Sequence, residues 1–226
     1  MIDKIFESAL AAVRDVKDGA TVMVGGFGTA GQPSELVDAL IEQGARDLTV
    51  VNNNAGNGEL GLAALIRARR VRKIICSFPR QTNSHHFDAL YRAGGIELEL
   101  VPQGNLACRI EAGGSGLGAI YTPTGFGTRL AEGKETRRID GRDYVLEFPI
   151  RADFALIKAE QGDRWGNLVY RKAARNFGPI MARAAACTVA QVTEVVPLGA
   201  LDPEVIVTPG IFVHRVVAVG ISRGPS

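Results

Sequence analysis

The sequence predicts an α/β protein: an open, mostly parallel sheet flanked by helices, with a β-rich insertion near residues 120–150. Three observations predict it. Short valine- and isoleucine-rich runs recur, in "ATVMV", "DLTVV", "KIICSF" and "ADFALIKA". Stretches with apolar residues at helical spacing stand between them, and strands that alternate with helices demand a parallel sheet with right-handed crossovers. Between residues 120 and 150 the texture changes to turn residues, charges and short β-like pieces, which read as a hairpin excursion over the sheet edge.

The elements follow in order. Residues 3–17 predict a helix with Ile5, Phe6, Leu10 and Val13 on one face, and Asp18-Gly19 a turn. "ATVMVGG" predicts a strand buried on both faces. Pro33 suits the first position of a helix. "SELVDALIEQG" spaces Leu36, Val37 and Leu40 helically and ends at Gly44. "DLTVVNN" is the next strand and completes a βαβ unit. "GLAALIRARRV" reads as a helix, "KIICSF" as a strand, "HHFDALYRAG" as a helix and "IELELVPQG" as a strand. "LACRIEAGGSG" begins as a helix and dissolves into glycines. After the insertion come strands in "ADFALIKA" and "GNLVY", a helix running into a strand in "IMARAAACTVAQV", and an extended apolar tail, "EVIVTPGIFVHRVVAV". No linker, biased tract or repeat interrupts the pattern, so residues 1–226 are expected to form a single domain.

Composition narrows the function classes. Apolar residues make up 46% and charged residues 22% of 226, an ordinary globular balance. A formal net charge of +2 argues against a dedicated nucleic-acid surface. Cys76, Cys108 and Cys187 are too far apart for a C-x-x-C metal or redox motif, and so sparse a set suits a reducing compartment. Asp3, Lys4 and Glu7 interrupt the first apolar residues, and no stretch reaches the length of a membrane span. The expectation is a cytoplasmic protein without a membrane or nucleic-acid partner.

"VMVGGFGTAGQP" is the first stretch with chemical content. Gly26, Gly28 and Gly31 spell G-x-G-x-x-G, the dinucleotide fingerprint. That fingerprint also requires an acidic residue at the end of the following strand, and here the strand ends Val51-Asn52-Asn53-Asn54. Pro33 follows the third glycine closely, where the fingerprint glycine would pack inside the helix. The loop remains able to bring backbone N–H groups close to a ligand. A nicotinamide or flavin site, another ligand loop and a plain strand-to-helix turn all stay open on these residues alone.

Residues beyond the glycines resolve more. Asp18-Gly19, Val22 to Val24, Gly25-Gly26-Phe27, Gly31 and Pro33 together resemble the signature of family I coenzyme A transferases, in their α-subunit or N-terminal half. The likeness continues through "NNNAGNGELGL", "VPQGNLACRI", "TPTGFGT" and "YRKAARNFGPIMARAA", to about Val219. "CSFPRQ" and "GDRWGNLVYRKAARNFGP" are most similar to the subgroup that acts on 3-oxoadipate in the β-ketoadipate pathway of aromatic catabolism.

The resemblance implies a reaction and a division of labour. CoA moves from succinyl-CoA to a 3-oxo acid by a ping-pong mechanism through a glutamyl-CoA thioester, with CoA as thioester substrate and no tightly bound cofactor. The glutamate belongs to a Glu-Asn-Gly stretch of the family's β-subunit, and no Glu-Asn-Gly occurs in this chain. The chain is therefore expected to be inactive alone and active in a heterodimer or heterotetramer. The resemblance makes Asn53, the middle of "NNN", the oxyanion donor, and a neutral amide at a strand's carboxyl end suits that task. Asx turns are the alternative use of Asn52 to Asn54. Gln103 is expected to hydrogen-bond the acyl substrate or its carboxylate. Gly25, Gly26, Phe27, Gly28, Thr29, Ala30 and Gly31 would line the CoA passage, with Phe27 also a packing anchor.

Arg80 is a candidate for a distal carboxylate, and Arg171, Lys172 and Arg175 for that or for CoA phosphates, each weighed against a surface ion pair. Glu59 in "GNGEL" is a rival nucleophile with the motif order inverted, or a solvated loop carboxylate. His85, His86 and His214 stand in the sequence without metal-ligand company, and no metal site is expected. Acetoacetate or short-chain fatty acids are alternative acceptors. A Rossmann-like nucleotide-binding protein, another thioester enzyme and a non-catalytic binding protein are the rival functions.

Overall fold

A computed structural model describes residues 2–219. The main sheet contains β1 (Thr21–Val24), β2 (Leu48–Val51), β3 (Val71–Cys76), β4 (Glu97–Leu100), β8 (Ala152–Gly162), β9 (Leu168–Val169), β10 (Ala185–Val195) and β11 (Arg215–Ala218). Its order is β11-β10-β8-β1-β2-β3-β4, parallel throughout, with the short β9 antiparallel to β8. A second, antiparallel sheet in the order β5-β7-β6 is formed by β5 (Ile120–Thr122), β6 (Thr136–Ile139) and β7 (Arg142–Glu147). This is the expected β-rich insertion. It docks through Asn105, which donates to Thr124 O at 3.0 Å and accepts from Thr122 Oγ1 at 3.0 Å.

Strand residues alternate between two cores because successive side chains leave opposite faces of a sheet. Val22, Val24 and Leu156 share one core with α1 (Ala9–Val13), α2 (Ser34–Gln43), α3 (Leu62–Arg67) and α4 (His85–Arg92). Met23, Ala155 and Ile157 face the other, with α5 (Gln103–Gly114) and α6 (Gly178–Arg183). Both faces are covered, which is why these strands read as continuous apolar runs.

The first helix, α5 and the apolar tail differ from the sequence reading. The first helix spans only Ala9–Val13, capped by Ser8 Oγ accepting from Ala11 N. Residues ahead of it join the sheet edge instead: Phe6 N donates to Val216 O and Val216 N to Lys4 O, at 2.8 and 2.7 Å. These bonds pair the free edge of the last strand, whose N–H and C=O groups a further helical turn would leave unpaired. The second difference is α5, which begins at Gln103 and continues through Gly113 and Gly114. A Cβ on Gly113 would lie 2.2 Å from Ile150 O, so close backbone packing explains that glycine. The third is the apolar tail, where Pro203, Pro209 and Gly210 break the extended chain into two 3₁₀ turns and only Arg215–Ala218 is strand.

The last strand is clamped to α1. Arg215 donates from Nη1 and Nη2 to Asp15 Oδ1 and Oδ2 at 2.5 and 2.7 Å, and from Nη1 to Ala12 O at 2.7 Å. Hydrogen bonding to Arg215 holds the Asp15 carboxyl below its ordinary value. A carboxyl lowered in the folded state contributes stability above its unfolded pKa, and loses it as pH falls through the folded one. Asp15→Asn should thus destabilise the protein near neutral pH by up to ~1 kcal/mol, since the pair is partly exposed. The difference from wild type should begin to narrow as pH drops below the ordinary carboxylate value, about 4, and close below the lowered folded-state one. Thermal melts at neutral pH and near pH ~3 check this; a gap of equal width at both would refute it.

Candidate active site

The chain builds β1 to β4 outward on one side of β1, then returns to place β8 on the other. Open α/β sheets put ligands outside the carboxyl ends of strands at such a reversal. The glycine loop 25–31 leaves β1 at this point. Gly25 N donates to Leu156 O at 2.8 Å, which prolongs the β1–β8 pairing. Phe27 and Ala30 exchange two backbone hydrogen bonds and fold the loop back. Asn176, more than a hundred residues away, holds it: Oδ1 accepts from Gly26 N at 3.1 Å and Nδ2 donates to Ala30 O at 2.9 Å. Gly31 adopts φ +73°, and a Cβ there would sit 2.2 Å from Ala174 O. It lies outside α2, against the 171–176 segment, so it does not play the helix-packing part of the dinucleotide fingerprint.

Pro33 occupies the cap position and α2 starts at Ser34, one residue later than expected. Proline offers no side-chain cap. The fully buried Gln191 of β10 does that work, accepting from Leu36 N at 3.4 Å while its Nε2 donates to the Glu35 carboxylate.

The three asparagines after β2 divide the two uses weighed for them. Asn52 Oδ1 accepts from Asn54 N, and Asn54 Oδ1 from Gly56 N, both at 2.8 Å, so these two form Asx turns. Asn53 does neither. It is 4% exposed, and its Oδ1 accepts from Ser77 Oγ at 2.7 Å and from Gln103 Nε2 at 2.8 Å. Its Nδ2 has no protein partner among the described residues. Asn53, Ser77 and Gln103 follow the carboxyl ends of β2, β3 and β4, three neighbouring strands. Gln103 is the first residue of α5.

Beside them lies a crevice of about 240 Å³ lined by Gly28, Thr29, Gln32, Asn54, Asn57 and Gln81. Its lining is polar and uncharged, so negative charge arising there would meet amides, a hydroxyl and backbone N–H groups. Ser77, Gln32, Asn57, Gln81 and Asn176 went unremarked in the sequence. The first follows a strand end, as Asn53 does, and that position was the available signal. Phe27 is 53% exposed and so is not the packing anchor expected of it; with the exposed Leu60 and Phe78 it belongs to the segments that form the crevice.

The charged candidates separate. Arg80 donates from Nε to Asp88 Oδ1 at 2.7 Å, an exposed ion pair, next to Gln81 in the crevice wall. Arg171, Lys172 and Arg175 are exposed and have no ion pair among the described residues. They flank Ala174 and Asn176, which pack on the glycine loop. His214 is satisfied, its Nδ1 accepting from Thr188 N at 3.0 Å. His85 and His86 have company that the linear sequence did not show: their Nε2 atoms lie 2.8 and 2.9 Å from Glu59 Oε1 and Oε2. Hydrogen bonding to His86, then His85, lowers the Glu59 carboxyl to about 2. So weakly basic and multiply bonded a carboxylate is a poor nucleophile. Cys76, at the end of β3, is buried, which raises its thiol to about 12 and keeps it unreactive.

A family model for coenzyme A transferases matches residues 6–219. The chain belongs to the coenzyme A transferase family. The 3-oxoadipate CoA-transferase of Pseudomonas putida has an A-type polypeptide that is 71% identical over 219 residues, 97% of this chain and 95% of that one. The corresponding A-type polypeptide of succinyl-CoA:3-ketoacid coenzyme A transferase from Xanthomonas campestris pv. campestris strain B100 is 50% identical over 211 residues, 93% of this chain and 86% of that one. Among solved structures, the acyl-CoA transferase YdiF of Escherichia coli O157:H7 superposes with a TM-score of 0.85 at 22% identity. That match covers 96% of this chain and 47% of YdiF, so this chain of the transferase family shares the fold of about half of the larger protein. For a member of this family, the glycine loop, the neutral crevice and Asn53 lie where the fold places its strand ends.

Proposed function

We propose that this chain is the α-subunit of a two-subunit enzyme that moves CoA from succinyl-CoA to 3-oxoadipate. The observation that carries the reading is 71% identity, across 97% of the chain, to a relative named for 3-oxoadipate CoA transfer and as one of its subunits. In this mechanism a glutamate carboxylate from the partner chain attacks the thioester carbonyl of succinyl-CoA. The C–S bond breaks, leaving a mixed anhydride and the CoA thiolate. The thiolate attacks the anhydride at the glutamyl carbon and releases succinate, which leaves a glutamyl-CoA thioester. The acceptor's carboxylate then repeats the two steps in reverse and departs as its CoA thioester.

Every addition places negative charge on an acyl oxygen, and Asn53 Nδ2 donates to it. Ser77 and Gln103 fix the amide by binding Oδ1, so no reorganisation is needed when the charge appears. Gln103 gives one Nε2 hydrogen to Asn53 and keeps the other, with its Oε1, for the acyl substrate or its carboxylate. Gly28 and Thr29, which line the crevice, with the exposed Phe27 and Ala30, meet the CoA chain, while the buried Gly25, Gly26 and Gly31 set the shape of the loop behind them. Arg171, Lys172 and Arg175 supply positive charge to its phosphates from the segment that holds that loop. Arg80, whose Nη atoms are unbonded among the described residues, takes the acceptor's distal carboxylate. The crevice of about 240 Å³ is below the usual range for small-molecule sites, ~300–1,000 Å³, which fits a site completed by a second chain.

The test is to purify this chain and a co-encoded partner containing Glu-Asn-Gly separately and mixed. CoA transfer from succinyl-CoA to 3-oxoadipate is expected only in the mixture. Full activity of the isolated chain would overturn the division of labour. A mixture that prefers acetoacetate or short-chain fatty acids would overturn the acceptor.

A further inference from the structure

Two consecutive histidines at the start of α4 and a glutamate 26 residues earlier converge outside the crevice. The ligating atoms of Glu59, His85 and His86 all lie within 4.8 Å of one another. The imidazole rings are 4.1 Å apart between centroids. We propose that Glu59 Oε, His85 Nε2 and His86 Nε2 form a binding site for a divalent first-row transition-metal ion such as Zn²⁺.

The donor set fits that chemistry. Two imidazoles and one carboxylate are ligands of intermediate softness that suit Zn²⁺, Co²⁺ and Ni²⁺ better than Mg²⁺ or Ca²⁺. With metal–ligand bonds of ~2.0–2.2 Å, adjacent donors sit about 3.0–3.4 Å apart. The two imidazoles meet different oxygens of the Glu59 carboxylate, at 2.8 and 2.9 Å, and the set as a whole lies within 4.8 Å, so side-chain adjustments of about an ångström or less bring the donors onto one ion. The side chains of Glu59 and His85 are more than half exposed, so an ion can enter and water can fill its remaining positions.

The scaffold is already ordered. Asn83 N donates to Asn57 Oδ1, Gly58 N to Asn83 O, and Ser84 Oγ to Gly56 O, which hold the glutamate's loop against the histidines' helix. Arg67 opposes the cation. Its Nη1 donates to Glu59 Oε2 at 2.6 Å and must give way when the ion takes that oxygen. Exposed ion pairs of this kind are weak, so the displacement is a small penalty. A bound ion would join the asparagine-rich loop 52–61 to α4 by a second link besides these hydrogen bonds.

The experiment uses the tag-free full chain, in complex with its partner, titrated with ZnCl₂ by calorimetry and with CoCl₂ by visible absorption. One equivalent is expected to bind saturably, with Co²⁺ bands showing nitrogen and oxygen ligation and a melting temperature that rises with metal concentration. Glu59→Gln, which keeps the side chain's shape, and His85→Ala should each weaken binding on the order of tenfold or more. Arg67→Ala should tighten it several-fold, an effect that general surface binding would not show. His214→Gln, remote from the cluster, should bind as wild type. No saturation up to millimolar metal, or affinity unchanged in both Glu59→Gln and His85→Ala, would overturn the proposal and leave the cluster an ion-paired surface group.

Discussion

Replacing Asn53 by alanine should slow turnover of the assembled enzyme on the order of 100-fold or more, the usual effect of losing one preorganised oxyanion donor. Folding and assembly should persist, because alanine is tolerated at a strand end and the neighbouring Asx turns do not involve the Asn53 side chain. Asn53→Asp should be at least as slow. It preserves shape but sets a negative charge beside the one that develops on the acyl oxygen. Steady-state kinetics of the two-chain complex, with size-exclusion chromatography to verify assembly, are the measurement. Turnover near wild type in a correctly assembled variant would remove Asn53 from the oxyanion role. A rise in KM at constant kcat would assign it to ground-state binding instead.

The second large effect is expected at Gly31. Gly31→Val should destabilise the chain by about 3 kcal/mol or more, combining a left-handed backbone that β-branched residues resist with a backbone collision. The added Cβ would meet Ala174 O at 2.2 Å and Asn176 Nδ2 at 2.7 Å, and a carbonyl cannot swing aside as a flexible side chain can. Gly28 has φ +61° but open space around its Cβ position. Gly28→Ala should therefore incur only the backbone term, about 1–2 kcal/mol. Chemical denaturation of the two variants separates the contributions. Equal losses would mean that the contact with residue 174 is not what selects glycine at position 31.

The parallel sheet was legible because its strands are buried on both faces, and burial on both faces leaves uninterrupted apolar runs. Helix ends were less so. Ile5 and Phe6 suit an amphipathic helix, and only the availability of a sheet edge near Val216, two hundred residues away, draws them from it. Gly113 and Gly114 look like breakers because local propensity counts against glycine, while the packing that requires them is non-local. In the site, the glycine loop and the asparagine cluster announce themselves by residue type and place. Which asparagine keeps its amide nitrogen free is decided by Ser77 and Gln103, donors that follow two other strands. The Glu59–His85–His86 cluster was invisible for the same reason: a side-chain triad joined across 26 residues has no local pattern.

The grip of Asn176 on residues 26 and 30 bears on synthesis as well as on chemistry. β1 pairs with β8 in the register Val22↔Phe154, so the centre of the sheet waits for a segment made much later. While a ribosome has released only the first half of the polypeptide, the glycine-rich turn has no anchor and β1 has a bare flank. Such distant pairing slows folding and leaves an unsaturated edge open to wrong neighbours in the interval. β1 and its loop can complete their pairing only after the sequence through Asn176 has emerged.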